Sequence, residues 1–255
     1  MKILNAVFDL DFAYLEAFTN RTDTQWGTLF WNENQPRYFD ANHAHVRRTV
    51  SDFKLVIDEV TGFYQSKKII PRFYIYNLEC QEEFISHLKM NNFELEELIT
   101  PVQLWKGKPI NLAINDEITI DIVTKYNYFE ALNIECSIKE FGGKAVREKA
   151  FEQEFSHPQF TYYLLSYKGV ACATASLFIQ DKQARMESVA TLEEYRGKGF
   201  IGHLINHIQS EVMRMRLDNL WVIPINEKIE KVYQKYGFVT VEKFKMGHAY
   251  KGAQY

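Results

Sequence analysis

The chain has 255 residues, a net charge of −3, and 46% hydrophobic and 15% aromatic residues. This length suits one large or two ordinary domains, and this composition excludes a disordered chain. Because no basic tract stands out, a nucleic acid is not expected as the main partner.

Neither a signal peptide nor a membrane span is expected. Asp9 and Asp11 interrupt any apolar run near the start, and the weakly apolar stretch Val170–Ile179 is too short to cross a bilayer. The three cysteines form no C-x-x-C pair, which favours reduced, largely buried thiols. We therefore expect a cytoplasmic protein without a membrane partner, either a monomer or a homodimer.

The first hundred residues mix helical and strand patterns. Apolar residues between Phe8 and Phe18 predict an opening helix, and Trp26–Trp31 reads as a strand. The later elements of this half are predicted as a helix over residues 51–68, a strand at Arg72–Tyr76, a short helix at Glu82–Met90 and a strand after Asn92.

His43 and His45 stand two residues apart, so a strand would place both on one face, where they could bind a metal. No cysteine or third histidine is near them in sequence. We therefore expect a polar loop or the wall of a substrate pocket at this position, and no metal in the protein.

A linker is predicted at Trp105–Pro109, and the second half follows the order β-α-α-β-β-β-α-β-α-β. A helix rich in apolar residues is predicted after Gly199. The other predicted elements are strands at Ile118–Val123, Phe160–Tyr167, Val170–Gln180, Arg185–Thr191 and Leu220–Ile225, helices at Tyr128–Phe141, Lys144–Phe155 and Glu227–Tyr236, and a last strand opened by Gly237-Phe238.

The most informative segment is Met186–Gly202, which reads as a strand, a glycine turn and the start of a helix. Free backbone N–H groups at a helix start favour an anion, above all a phosphate. A P-loop would need a Lys and a Ser or Thr after its last glycine, but His203 and Leu204 follow Gly202. The P-loop interpretation therefore fails.

A dinucleotide-binding interpretation stays open. Gly197, Gly199 and Gly202 form G-x-G-x-x-G, and Glu227 stands about where the ribose partner would be. Against it, the polar segment Glu193–Arg196 separates the strand from the turn, and too few residues follow for a doubly wound sheet. This interpretation would make the protein a nicotinamide enzyme.

A different family matches more of these residues. The run T-L-E-E-Y-R-G-K-G before an amphipathic helix resembles a signature of the GCN5-related N-acetyltransferases (GNAT). Asn226, Tyr233 and Gly237-Phe238 in N-E-K-I-E-K-V-Y-Q-K-Y-G-F resemble the second signature of that family. The resemblance covers roughly residues 116–255. One residue departs from the pattern: Ile201 stands where the family usually has Gly or Ala. Either its side chain points away from the pyrophosphate, or the cofactor sits slightly differently.

The resemblance implies an α/β (α+β) fold, with a mixed, mostly antiparallel sheet flanked by helices, and acetyl-CoA as cosubstrate. Tyr233 would protonate the leaving thiolate, and Glu187 is the candidate base for the amine. A backbone N–H between Val189 and Thr191 would polarise the thioester carbonyl where a bulge frees it. The implied cofactor-binding residues are Val189, Ala190, Thr191, Arg196, Gly197, Lys198, Gly199, Phe200, Ile201, Gly202 and Asn226.

The first half looks like a degenerate copy of the second. Phe73–Leu98 parallels Leu220–Phe244, but the first half has no R-G-x-G turn, and Leu88 lies about where Tyr233 does. We expect two GNAT-like domains: a degenerate one at residues 1–115 and a catalytic one at 116–255.

The expected function is acetyl-CoA-dependent acetylation of an amine on a small-molecule or peptide acceptor by direct attack on the thioester. The alternative is a non-catalytic acyl-CoA-binding or sensor protein with the same fold. The aromatic first half could wall the acceptor cleft, since ligands favour domain interfaces.

Overall fold

The computed structural model describes residues 2–76 and 78–252. Backbone contacts divide the chain into two compact units. The larger unit contains the chain up to Tyr14 together with Pro101–Glu242, and the smaller unit contains Leu15–Thr100 together with the chain from Lys243.

Helices and strands alternate through the first half. Its elements in chain order are α1 (Lys2–Glu16), β1 (Asn20–Asp23), β2 (Thr28–Trp31), β3 (His43–Val46), α2 (Phe53–Ser66), β4 (Arg72–Tyr76), α3 (Glu82–Met90) and β5 (Glu94–Trp105).

The second half follows the predicted element order. Its elements are β6 (Ile118–Ile122), α4 (Tyr128–Cys136), α5 (Lys144–Ser156), β7 (Phe160–Tyr167), β8 (Val170–Gln180), β9 (Gln183–Thr191), α6 (Phe200–Arg214), β10 (Asn219–Val222), α7 (Glu227–Gln234) and β11 (Val239–Tyr250).

The larger unit is built on a mixed sheet in the strand order β5-β10-β9-β8-β7-β6. Strands β9 and β10 run parallel, as they must across the α6 connection, and the other neighbours are antiparallel. One face carries a core of apolar side chains from α6, α7 and the strands, including Met186, Leu204, Ile208 and Phe238. The helices α4 and α5 pack against β8 and β7.

The smaller unit repeats part of this arrangement. Its strands follow the order β1-β2-β3-β4-β11, with β3 and β4 parallel across α2. The core includes Val56, Val60 and Tyr64 of α2, with Phe84 and Leu88 of α3. A strand, a helix, a parallel strand and a second helix therefore occur in both halves.

Each unit is completed by a strand from the other half of the sequence. In the larger unit, β5 pairs antiparallel with β10, with Trp105 opposite Leu220. In the smaller unit, β11 pairs antiparallel with β4, with Tyr250 opposite Arg72. The last strands of the two halves are thus exchanged.

Several elements differ from the sequence-based expectation. The histidine segment is the buried strand β3, not a polar loop, because it lies between β2 and β4. The helix expected at 128–141 ends at Cys136, and a separate 3₁₀ turn, Lys139–Phe141, is closed by the left-handed Gly142 (φ 84°). Strand β10 ends before Pro224, which cannot donate to a ladder.

Two further expectations, on the linker and on the cysteines, also differ from the structure. Trp105 is buried as the last residue of β5, so it belongs to the core and not to a linker. Of the cysteines, Cys172 is buried and Cys136 partly so, but Cys80 is exposed. Among the helices of the described ranges, none has both the length and the apolar character needed to cross a bilayer.

Candidate active site

Strand β9 carries a bulge beside the segment expected to polarise the thioester carbonyl. Thr174 of β8 lies opposite Ala190, whereas Ser176 lies opposite Glu187, so two residues of β9 face Ala175 alone. Ser188, within the bulge, has a φ of 51°. A bulge leaves a residue of the ladder unpaired and kinks its strand. The predicted residues Val189–Thr191 therefore start inside this irregularity.

The strands β9 and β10 pair only over a short stretch. Their parallel register runs from Gln183 opposite Asn219 to Arg185 opposite Trp221. Strand β9 continues to Thr191, while β10 stops at Val222. The sheet is thus split at the carboxyl ends of two parallel strands, which is where α/β sheets commonly bind ligands.

The glycine turn leads from this split into α6. Gly197 and Gly199 have φ values of 76° and 82°, which favour glycine, and a Cβ at either would meet no atom within 4 Å. The Arg196 side chain braces the turn by donating from Nε to the Thr191 carbonyl at 3.0 Å. Helix α6 has no side-chain cap and no acidic residue in its first turn. Its free amides are therefore available to an anion.

The side chains just after the turn face the protein core. Phe200 is buried and lies 4.8 Å from the ring of Tyr167. Ile201 is partly buried and packs against the same core. A Cβ on Gly202 would lie 2.3 Å from the Tyr236 hydroxyl, so this glycine makes room for a tyrosine. Phe200 and Ile201 can thus serve a ligand through their backbone only, while the Gly202 amide already donates to the Gly199 carbonyl at 2.9 Å.

Asn226 already has a structural partner. Its Oδ1 accepts from the Ile229 amide at 3.0 Å and so caps the start of α7. The cofactor contact expected of Asn226 stays a prediction.

Tyr233 lies on α7 with its side chain 5% exposed and its ring 5.5 Å from that of Phe238. Burial, and then the negative charge of Glu187, raise the pKa of Tyr233 above its usual value. The hydroxyl therefore stays protonated at neutral pH and can donate a proton. The roles expected of Tyr233 and Glu187 stay predictions.

Glu187 lies on β9 just before the bulge and pairs with Arg185. Burial raises the pKa of Glu187, and Arg185 opposes this rise only in part. A carboxylate with a raised pKa is a better base at neutral pH. Arg185 was missed from the sequence, although its spacing from Glu187 places both side chains on one face of β9.

A buried ionic cluster beneath α4 and α5 was also missed. The Arg147 guanidinium donates to Glu135 and to Glu154 at 2.6 Å each, and the Tyr162 hydroxyl donates to Glu154. Burial raises the pKa of Glu135 to about 7. The seven-residue spacing of Arg147 and Glu154 places both on one helix face, so their contact could have been predicted from the sequence.

The histidines of β3 pack as aromatic rings. The His43 ring stacks on Tyr74 at 4.2 Å, and the His45 ring lies 4.5 Å from that of Tyr76. Burial lowers the pKa of His43 to about 3. Within residues 2–76 and 78–252, no three His, Cys, Asp or Glu side chains are grouped as a metal site would require.

Part of the chain matches the model of a protein family. Residues 126–238 match the model of the acetyltransferase (GNAT) family. This match confirms the resemblance suggested by the two signatures. A comparison with curated proteins found no match.

Solved structures with this fold cover nearly the whole chain. A functionally unknown conserved protein from Staphylococcus epidermidis has a TM-score of 0.72 at 11% identity, covering 92% of this chain and 95% of its own. A GCN5-related N-acetyltransferase from Kribbella flavida has a TM-score of 0.68 at 13% identity, covering 97% and 95%.

A tandem GNAT protein from the clavulanic acid biosynthesis pathway has a TM-score of 0.54 at 9% identity, covering 78% of this chain and 70% of its own. These likenesses confirm the expected fold class. The first half therefore has the same fold in a degenerate form, without the glycine turn.

Proposed function

We propose, from the premise that residues 126–238 are a GNAT domain, that this protein transfers the acetyl group of acetyl-CoA to an amine. The observation that carries the proposal is one continuous feature. The bulged strand β9 separates from β10, and the chain then passes through Gly197 and Gly199 into α6, which has no side-chain cap. Together these provide an anion site directly beside a gap in the sheet.

The turn fits the pyrophosphate of coenzyme A. The backbone of Gly197 and Gly199 can approach a ligand closely because no neighbouring atom fills the space beside either residue. Lys198 adds an exposed positive charge, with its Nζ 5.0 Å from the centre of the Tyr195 ring. When bound, acetyl-CoA supplies the activated thioester. The other described residues that line the turn contribute through backbone amides.

Three groups of the chain would then carry out the transfer. A backbone N–H at Val189–Thr191 would stabilise the charge that builds on the acyl oxygen. Glu187 would take the proton of the attacking amine nitrogen, directly or through a water. Tyr233 would donate its hydroxyl proton to the departing sulfur. Glu187 gains one proton and Tyr233 loses one. Transfer of one proton from Glu187 to Tyr233, directly or through solvent, therefore returns the site to its starting state.

The acceptor is proposed as a small-molecule or peptide amine. We further propose a cytoplasmic enzyme that works as a monomer or homodimer without a metal. The neutral-to-acidic surface suggested by the sequence pI of about 6.2 is compatible with a cationic amine substrate.

Two assays on the full chain test the proposal. Calorimetry with acetyl-CoA, CoA and NAD should show binding of both CoA species and none of NAD. Release of free thiol over a panel of amines should identify at least one acceptor. Binding of CoA without thiol release for any amine would favour the acyl-CoA sensor, and binding of NAD alone would restore the dinucleotide interpretation.

A further inference from the structure

Helix α1 lies far outside the matched segment, yet its residues up to Tyr14 belong to the larger unit. Val7, Leu10 and Phe12 are buried there. The ring of Tyr14 lies 5.7 Å from the rings of both Phe160 and Phe178. The start of the chain is thus packed on the sheet that carries the candidate site.

The contact between α1 and β9 is an ionic one. Arg185 donates from Nε to Glu187 and from Nη1 to Asp11, and its guanidinium lies 4.4 Å from the centre of the Tyr14 ring. The side chains of Arg185, Asp11 and Glu187 are 11%, 17% and 21% exposed. Burial alone would lower the pKa of Arg185, but the two carboxylates more than offset it and raise that pKa above its usual value.

We infer that Asp11 is a positioning residue of the acetyl-transfer site, because it holds the Arg185 guanidinium so that this group binds only one oxygen of Glu187. The inference rests on the proposed function. An Arg beside a single carboxylate tends to bind both of its oxygens in parallel. Here Asp11 takes one arm of the guanidinium, and Glu187 accepts from Nε through Oε1. The second oxygen of Glu187 is thereby left for the amine.

Asp11 also keeps Glu187 basic. The charged and titratable groups that act on Glu187 come from four elements: Arg185 on β9, Asp11 on α1, Glu154 on α5 and Tyr233 on α7. Burial raises the pKa of Glu187, Arg185 opposes it, and Asp11 and Glu154 reinforce it. Replacing Asp11 by Asn removes a negative charge and frees Arg185 for Glu187. Both changes lower the pKa of Glu187.

The sign of the pH effect follows from the role of Glu187 as a base. The base works in its ionised form, so kcat/KM rises with pH through the pKa of Glu187. In Asp11→Asn this rise should move to lower pH by about half a unit or more. The plateau rate should fall roughly twofold to threefold, because a weaker base accepts the proton less readily. The affinity for acetyl-CoA should not change.

The test compares the wild-type protein with Asp11→Asn, Asp11→Glu and Asp9→Asn. Asp9 is exposed on the same helix, so its substitution changes the net charge equally and should leave the pH profile unaltered. Asp11→Glu keeps the charge and should largely restore the profile. If Asp11→Asn does not fold, Asp11→Ser, which leaves room for water, takes its place.

A second measurement does not depend on turnover. Carbon-13 NMR of labelled glutamate carboxyl groups follows the titration of Glu187 directly, with Glu187→Gln identifying the signal. A lower titration midpoint in Asp11→Asn supports the inference. The same midpoint and pH profile in both proteins would reduce Asp11 to a structural residue. If the wild type acetylates no amine, the proposed function fails, while the NMR titration still decides whether Asp11 acts on Glu187.

Discussion

The two halves of this protein begin an equivalent helix in opposite ways. Helix α2 follows β3 as α6 follows β9, and each connects two parallel strands. At α2 the Asp52 carboxylate accepts from the Leu55 amide at 3.0 Å and closes the helix start. At α6 the N-cap is Gly199, and the first turn has no side-chain cap. One helix has a side-chain cap at its start, and the other has none.

The same contrast extends to the neighbouring elements. The antiparallel pair β2 and β3 keeps a regular register, whereas β8 and β9 are interrupted by the bulge. Leu88 is buried on α3 in the smaller unit, and Tyr233 is buried on α7 in the larger one. The smaller unit therefore has the helices and strands of the fold without the groups that would bind and react.

The largest effect is expected from Tyr233→Phe, which makes α7 resemble α3. Removal of the hydroxyl should lower kcat by about 10²–10⁴-fold, the usual contribution of general acid catalysis, and leave the affinity for acetyl-CoA nearly intact. Steady-state kinetics with an identified acceptor measure this. Tyr163→Phe is the matched control, because the Tyr163 hydroxyl is also buried in the larger unit and has no hydrogen-bond partner within the described ranges. Equal kcat values in the wild type and both variants would mean that Tyr233 is a core residue without a catalytic role.

A smaller effect is expected when α6 is given the acid of α2. Gly199→Asp places a carboxylate at the helix start, and it should weaken acetyl-CoA binding roughly tenfold or more by charge repulsion and by occupying the amides. Gly199→Asn has nearly the same shape, and both residues tolerate a left-handed backbone better than other side chains. Calorimetry compares the two variants. Equal affinities would mean that the turn does not hold the pyrophosphate.

The smallest effect is expected from Asp52→Ala, which opens the start of α2. Loss of the cap should reduce the free energy of unfolding by about 0.5–2 kcal/mol. Acetyl-CoA binding and turnover should stay the same, since the smaller unit lacks the glycine turn. Chemical denaturation and calorimetry provide the two readouts. A second molecule of acetyl-CoA bound by this variant would show that Asp52 alone had closed the site in the smaller unit.

Elements with strong periodicity were predictable from the sequence. The apolar run of β8 predicts the strand at its observed bounds, and the apolar spacing after Gly199 predicts the start of α6. The glycine turn was predictable because two glycines lie between a strand pattern and a helix pattern. The bulge in β9 was foreseen only as a requirement of the chemistry, since its register is set by pairing with β8.

What the sequence did not reveal depends on distant partners. The strand β3 contains two histidines and looks polar, yet aromatic rings from β4 bury it. The contact of Asp11 with Arg185 joins residues 174 positions apart, and no local pattern encodes it. Gly202 fitted a phosphate motif, although it is the Tyr236 hydroxyl that requires a glycine there.

The exchange of last strands affects how the protein can fold during its synthesis. Strand β4 gains its partner β11 only after Lys243–Tyr250 has left the ribosome, so the smaller unit is completed after the residues of the larger unit have been synthesised. Until then, one edge of β4 offers unpaired backbone groups to other chains, which is a known route to aggregation. Pairings between such distant segments also slow folding. Residues 1–115 produced alone should therefore aggregate, and a separately added peptide of residues 239–252 should reduce that aggregation.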